Sequence, residues 1–394
     1  PKLKPLSSLT FRVSYSLTGT PPDAAYCNAL TKLSMNTPYR PTTTDKELGF
    51  VVAALGNNEL TYEKKHEFNF GVDAGFFNNR LNVTFDVYQR RNFDEIAPTV
   101  TQLYGTVYAN VGSMKSWGEE LSISSTNVKT QDFSWQTSLI YSHNRTEITD
   151  LYNQGRVIDL VQGNGFAKQG YPARALFSIP FVGINEKGYP VCINEKGQTT
   201  VGNLNFQERD NTDYLIYEGS TDPVYNGSLG NTFNYKGFHL NVFLTYAFGN
   251  VVRLDPVFSA KYNDLTSMTH NFKNRWMQPG DENVTNVPGV VSRYEYEQNS
   301  TLLATAYNAY NYTSVRTAKG DFIRLKEISL AYDFPHRWFE HSPVNNISLK
   351  LQATNLMLLY ADKKLNGQDP EFMNAGGVAS PMPKQFTLTL KLGL

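Results

Sequence analysis

The stretch YNGSLGNTFNYKGFHLNVFLTYAF, residues 225–248, decides the fold. Tyr225, Leu229, Phe233 and Tyr235 share one parity, and Asn226, Ser228, Thr232 and Asn234 the other. After Lys236-Gly237 the pattern resumes with Phe238, Leu240, Val242, Leu244, Tyr246 and Phe248 set against His239, Asn241 and Thr245. A period of two sends successive side chains to opposite faces, so these are two strands, each with a greasy and a wet side. Lys236-Gly237 leaves two residues for the reversal, which a glycine at positive φ permits. Runs of about ten residues match what a tilted strand needs to cross a hydrocarbon core.

Eight further runs flank this pair. The first alternates Leu9, Phe11, Val13, Tyr15 and Leu17 with Thr10, Arg12, Ser14, Ser16 and Thr18; others span 67–76, 81–87, 120–124, 133–142, 347–353 and 386–394. In the eighth of the ten, Ile323 and Leu325 alternate as far as Lys326-Glu327, after which Ile328, Leu330, Tyr332 and Phe334 continue one residue out of phase. That slip reads as a β-bulge. Short connections at Phe77-Asn78-Asn79, 127–132, Lys236-Gly237 and 335–345 alternate with long polar ones at 19–60, 93–112, 147–223, 250–319 and 360–383. This is the pattern of an all-β transmembrane antiparallel barrel with short periplasmic turns and long extracellular loops, its C-terminus periplasmic. Strand-like stretches between Ala173 and Cys192 would break the parity as an extra crossing, so they are expected as a hairpin within an extracellular loop.

Composition removes other classes. The 36 basic and 36 acidic residues cancel, which argues against a nucleic-acid partner. Mean hydropathy is −0.41, and no apolar run approaches the roughly 18 residues of a membrane helix. Cys27 and Cys192 stand far apart in no CxxC spacing; they either form a disulfide or are isolated small residues. The six histidines fall at no metal-ligand spacing and no GxSxG occurs, so neither a metal, a cofactor nor an enzyme activity is expected. A soluble sandwich acting as an adhesin or lectin has no reason to sort its loops by length. An outer-membrane hydrolase would need a catalytic constellation on the strand faces, and none is visible.

Ten strands do not close around a lumen beneath loops of this length, so further strands from an N-terminal portion are expected to complete the sheet, with residues 1–394 forming the C-terminal part of the barrel. The chain opens on Pro1-Lys2-Leu3 with no signal sequence and reads as an excerpt of a longer precursor. Several segments resemble the SusC/RagA family of TonB-dependent transporters, in family order: Phe76-Phe77-Asn78-Asn79-Arg80-Leu81; Asn110-Val111-Gly112-Ser113-Met114-Lys115 with Gly118-Glu119-Glu120; Tyr235-Lys236-Gly237-Phe238; Arg275-Trp276 with Pro279-Gly280-Asp281-Glu282; Asp321-Phe322-Ile323-Arg324-Leu325-Lys326; and Asp369-Pro370-Glu371. The last residue, Leu394, departs from the aromatic that commonly ends such barrels.

The resemblance implies roughly half of a 22-stranded, plugged barrel in the bacterial outer membrane. It also implies a SusD-like surface lipoprotein as partner, and coupling to TonB-ExbB-ExbD through the N-terminal region that is not in this chain. The implied cargo is an oligosaccharide or, alternatively, an oligopeptide. Tyrosines at strand ends, such as Tyr15, Tyr141, Tyr246 and Tyr332, read as interfacial girdles against outer-membrane lipid. Loop tyrosines Tyr104, Tyr108, Tyr307, Tyr310 and Tyr312, with Tyr294 and Tyr296, are candidates for gripping cargo at the mouth; the competing reading is that they pack the loops together.

Overall fold

The computed structural model describes residues 5–23, 31–54, 56–57, 59–101, 105–152, 154–256, 269–339, 343–373 and 382–393. Ten barrel strands, numbered here in chain order, form one sheet: β1 Leu6–Thr20, β2 Glu63–Phe76, β3 Leu81–Thr101, β4 Gly105–Lys129, β5 Phe133–Leu151, β6 Tyr225–Tyr235, β7 Phe238–Phe248, β8 Phe322–Asp333, β9 Asn346–Ala361 and β10 Gln385–Gly393. Each strand pairs antiparallel with its sequence neighbours, so the sheet is a continuous meander. Among the described residues β1 and β10 each keep one unpaired edge, and the sheet is an open part of a barrel.

Register keeps like with like. Phe11 faces Val72, which faces Phe85, which faces Leu121, which faces Tyr141, a continuous apolar row on the outer side. On the inner side Arg12 reaches Asp73 at 2.7 Å and Asp86 at 3.0 Å, and Glu67 meets both Lys65 and Arg90. Charge is thus paired toward the lumen, while this row of the outer side is apolar. Aromatic rings lie flat over glycines on both faces. A Cβ at Gly118 would come within 2.6 Å of the Tyr88 hydroxyl, and one at Gly227 within 2.6 Å of the Tyr246 hydroxyl.

The turns follow their residues. Phe77, Asn78 and Asn79 take φ of 53°, 60° and 60° in succession, a left-handed run that asparagine tolerates. Lys236 and Gly237, at 44° and 87°, make the two-residue reversal whose twist suits a hairpin. At the phase slip, Phe243 faces Glu327 and Leu244 faces Leu325, so Lys326 is the extra residue of a bulge. Bulging there restores Ile323 and Leu325 to the outer face and keeps Arg324 on the inner one.

Two expectations about loops need correction. Residues 93–112 are not an irregular loop. β3 and β4 stay paired from Leu81↔Ser125 out to Thr101↔Gly105, because alternation that no longer needs an apolar side can continue as a ladder above the membrane. The described residues of 147–223 and 250–319 are not merely polar connections either. They fold together into a cap with its own core, described below. The stretch from Ala173 does contain a hairpin, Phe181–Ile184 with Pro190–Ile193, which stands outside the barrel sheet, and Ala175–Ser178 pairs with Ile216–Ser220.

Deleting Lys326 tests the bulge. Removing it sets Leu325 directly beside Glu327, so plain alternation still sends Leu325 outward and Arg324 inward, in register with Leu244 and Thr245. The expected outcome is that the deletion variant, like Lys326→Ala, retains the mobility difference between boiled and unboiled protein on electrophoresis; its loss in the deletion variant alone would show that the bulge does more than keep the strand in phase.

Candidate functional site

The inner faces of β6, β7 and β8 form the wall of a groove of ≈ 760 Å³. Alternation places Asn226, Thr245 and Phe322 on this face, and the bulge adds Lys326 beside them. Arg174 and Asp222, ion-paired at 2.7 Å, border the groove from the cap, and Glu371 borders it from the last long loop. Charges of both signs, hydroxyl and amide groups and one phenyl ring therefore line a single space.

A buried ion pair fixes its rim. Arg324 on β8 donates from Nη2 to both carboxylate oxygens of Asp369 at 2.6 Å, with the two side chains 3% and 0% exposed, and reaches Glu371 at 3.2 Å. Asp369 Oδ1 also accepts from the Glu371 backbone N–H at 3.2 Å, closing the short turn Pro370–Phe372. Two charges removed from water are tolerated only when each answers the other, so the loop after β9 is tied to this point of the wall.

The cap above is a small globular core. α1 (Val157–Val161) contributes Val157, Leu160 and Val161, which bury against Phe177, Ile179, Cys192 and Ala309. α2 (Arg293–Gln298) leads into α3 (Ser300–Asn311), whose Leu303, Ala306, Tyr307 and Tyr310 follow the spacing of one helical face and are buried. Arg253, almost wholly buried, donates to the carbonyls of Phe177 at 2.6 Å and Thr313 at 2.9 Å and to Ser178 Oγ at 3.1 Å, which stitches three segments together. Burial opposes its charge and pulls it down to about 10, still protonated at neutral pH. Arg316 donates similarly to the Asp255 carbonyl.

The motif residues 275–282 close on themselves. Asp281 accepts from the backbone of Met277 and Gln278, Glu282 accepts from Trp276 Nε1 at 3.0 Å, and Gly280 takes a φ of 105°. The indole covers Gly188 at the hairpin tip and Gly289, where a Cβ would collide with it.

The candidate tyrosines separate. Tyr307 and Tyr310 are 1% and 2% exposed, and Tyr307 donates to the Gly289 carbonyl at 2.6 Å. Both are buried in the cap core, where their rings pack against α3's neighbours. Tyr312 packs edge-on against Phe206 beside the same core. Tyr294 is exposed, Tyr296 packs against the α3 cluster, and Tyr108 is half-buried with its carbonyl accepting from Asn57. Tyr104 and Cys27 lie outside the described residues. The groove residues Lys326, Arg324 and Glu371 were not singled out as site residues from sequence, although each sits inside one of the segments quoted above.

Two outcomes follow from this geometry. Asp369→Ala strands a buried guanidinium and should cost about 3–5 kcal/mol, read as a lowered melting temperature and as faster proteolysis within 362–373. Joint replacement by Arg324→Met and Asp369→Leu should cost less. Cys192 is buried, and its thiol is pushed up to about 12 by desolvation, whereas an unfolded thiol titrates near about 8.5. Its folded-state pKa being raised, its contribution is intact below about pH 8.5 and is lost as pH rises toward 12. In a Cys27→Ser background, alkylation at pH 8 should be negligible until the protein is unfolded.

Similarity to known proteins agrees with this architecture. Residues 2–255 match the family model for the TonB dependent receptor-like β-barrel. TonB-dependent receptor P39 of Formosa agariphila is 26% identical over 381 residues, covering 84% of this chain and 35% of that protein. TonB-dependent receptor SusC of Bacteroides thetaiotaomicron is 27% identical over 356 residues, covering 86% and 32%. The chain thus spans about a third of the length of these relatives. A structure of the RagAB peptide transporter superposes with a TM-score of 0.76 at 24% identity, over 99% of this chain and 41% of that one, a shared fold. With its meander of ten strands and its paired luminal charges, this chain belongs to the TonB-dependent receptor β-barrel family of the outer membrane.

Proposed function

We propose that the chain is the C-terminal part of a barrel that imports an oligomeric nutrient, most simply an oligosaccharide, across the outer membrane. The observation that carries this is the groove between the inner wall and a folded extracellular cap, open to a lumen and lined by polar groups. Nothing in it resembles a bond-making constellation; its chemistry is binding and release. A SusD-like lipoprotein would deliver cargo from outside, and TonB-ExbB-ExbD would act through the plug-bearing region. SusC and the family membership support this division of labour. An oligopeptide is the second reading. The Arg174–Asp222 pair, Lys326 and Glu371 offer both signs of charge to a zwitterionic chain, and the RagAB relative is a peptide transporter.

Uptake by cells producing the full-length protein tests the reading. Asn226→Trp places an indole in the groove from an exposed inner-face position, so uptake of the cognate oligomer should fall tenfold or more at unchanged surface level. Supplying defined oligosaccharides and oligopeptides separately identifies the cargo. Unchanged uptake of both by the variant would show that cargo does not use this groove.

A further inference from the structure

On the outer face the apolar row through Leu121 and Tyr141 is followed outward by Val13, Phe70, Val87, Glu119 and His143, so the apolar band ends one row earlier on β4 and β5 than on β1 to β3. Tyr15 and Phe68 face each other in the last apolar row of β1 and β2, and one step further out the register runs Leu17, His66, Arg91, Lys115, Glu147. The Tyr15–Phe68 row itself continues through Gln89 to Trp117 opposite Arg145. Trp117 lies under two cations at once, with Lys115 Nζ 5.8 Å and Arg145 Cζ 5.6 Å from ring centroids. Arg91 and Arg145 are exposed, and neither has a carboxylate partner among the described residues; only Lys115 is paired, to Glu147 at 3.0 Å.

Lys115 and Arg145 at the indole, and Arg91 opposite Lys115 on the neighbouring strand, face outward above a row that runs Phe70, Val87, Glu119, His143, and do not serve the lumen. Their long aliphatic stems lie along the band's upper edge while the charged heads stand at headgroup depth. A tryptophan at that depth anchors the interface, and guanidinium groups bind phosphate oxygens through charge-assisted hydrogen bonds. We propose that Arg91, Lys115, Arg145 and Trp117 form a binding site for the phosphate groups of a phosphorylated glycolipid in the outer leaflet. This site is independent of the cargo and rests only on the outer face being the lipid side. Occupancy fixes the height of the β3–β4 hairpin relative to the membrane.

The test uses the full-length protein in detergent, stripped of lipid and then offered diphosphoryl lipid A, the same glycolipid without phosphate, or inorganic phosphate, with bound glycolipid counted per protein. Wild type should retain the diphosphoryl form at least tenfold better than the dephosphorylated one. Joint Arg91→Gln, Lys115→Gln and Arg145→Gln should abolish that preference. Lys236→Gln, at the periplasmic turn, should leave it unchanged, and Glu147→Gln, which frees Lys115, should raise retention about twofold. The mobility shift between boiled and unboiled samples verifies that each variant is folded. Equal retention by the triple variant, no preference between the two glycolipids, or full displacement by inorganic phosphate at equimolar concentration would each overturn the proposal.

Discussion

Inside a hydrocarbon layer no water is present to satisfy a backbone N–H or C=O, and this requirement governs everything else in the molecule. The meander meets it strand by strand, since each interior strand finds partners on both sides. Once the backbone is committed to the ladder, side chains are free within a single rule of alternation, and that rule separates lipid from lumen. The edges of β1 and β10 are where it is unmet among the described residues.

Beyond the membrane the requirement relaxes, and the polypeptide behaves as a soluble protein would. The largest fully buried side chains, Tyr307, Tyr310, Phe177 and Leu160, all lie in the cap. Arginines hold the places where the two regimes meet. Arg324 reaches from the wall to the loop after β9, while Arg253 and Arg316 tie cap segments to one another through backbone carbonyls. A planar fork of donors suits that work because carbonyls at strand and turn ends have lone pairs to spare.

The wall was legible from sequence because period two is a local signal that tertiary packing only reinforces. Residues 225–235 and 238–248 are strands to the residue, and even the bulge at Lys326 showed as a break in phase. The cap was not legible, because its core is assembled from positions far apart. Ala309 on α3 packs with Val157 and Cys192, and no window of sequence contains all three. The same cause left the tyrosines undecided between loop packing and cargo contact. Tyr307 and Tyr310 belong to an amphipathic helical face with the spacing Leu303, Ala306, Tyr307 and Tyr310, and their rings are buried in it. The Arg324–Asp369 pair joins two segments quoted only as family marks, and their chemistry depends on a contact between residues 45 positions apart.

The cap's shared core also sets which parts of this molecule can be exchanged between relatives. Each wall hairpin is a modular unit, bonded to its neighbours by backbone groups that any sequence provides. The two great loops are not modular. Phe177 and Thr313, on different loops, meet at one guanidinium from Arg253, and α3 of one loop fills the hydrophobic cavity formed by the other. A chimera that transplants only one of them leaves a hollow core and an unanswered charge, so the two loops must be transferred together.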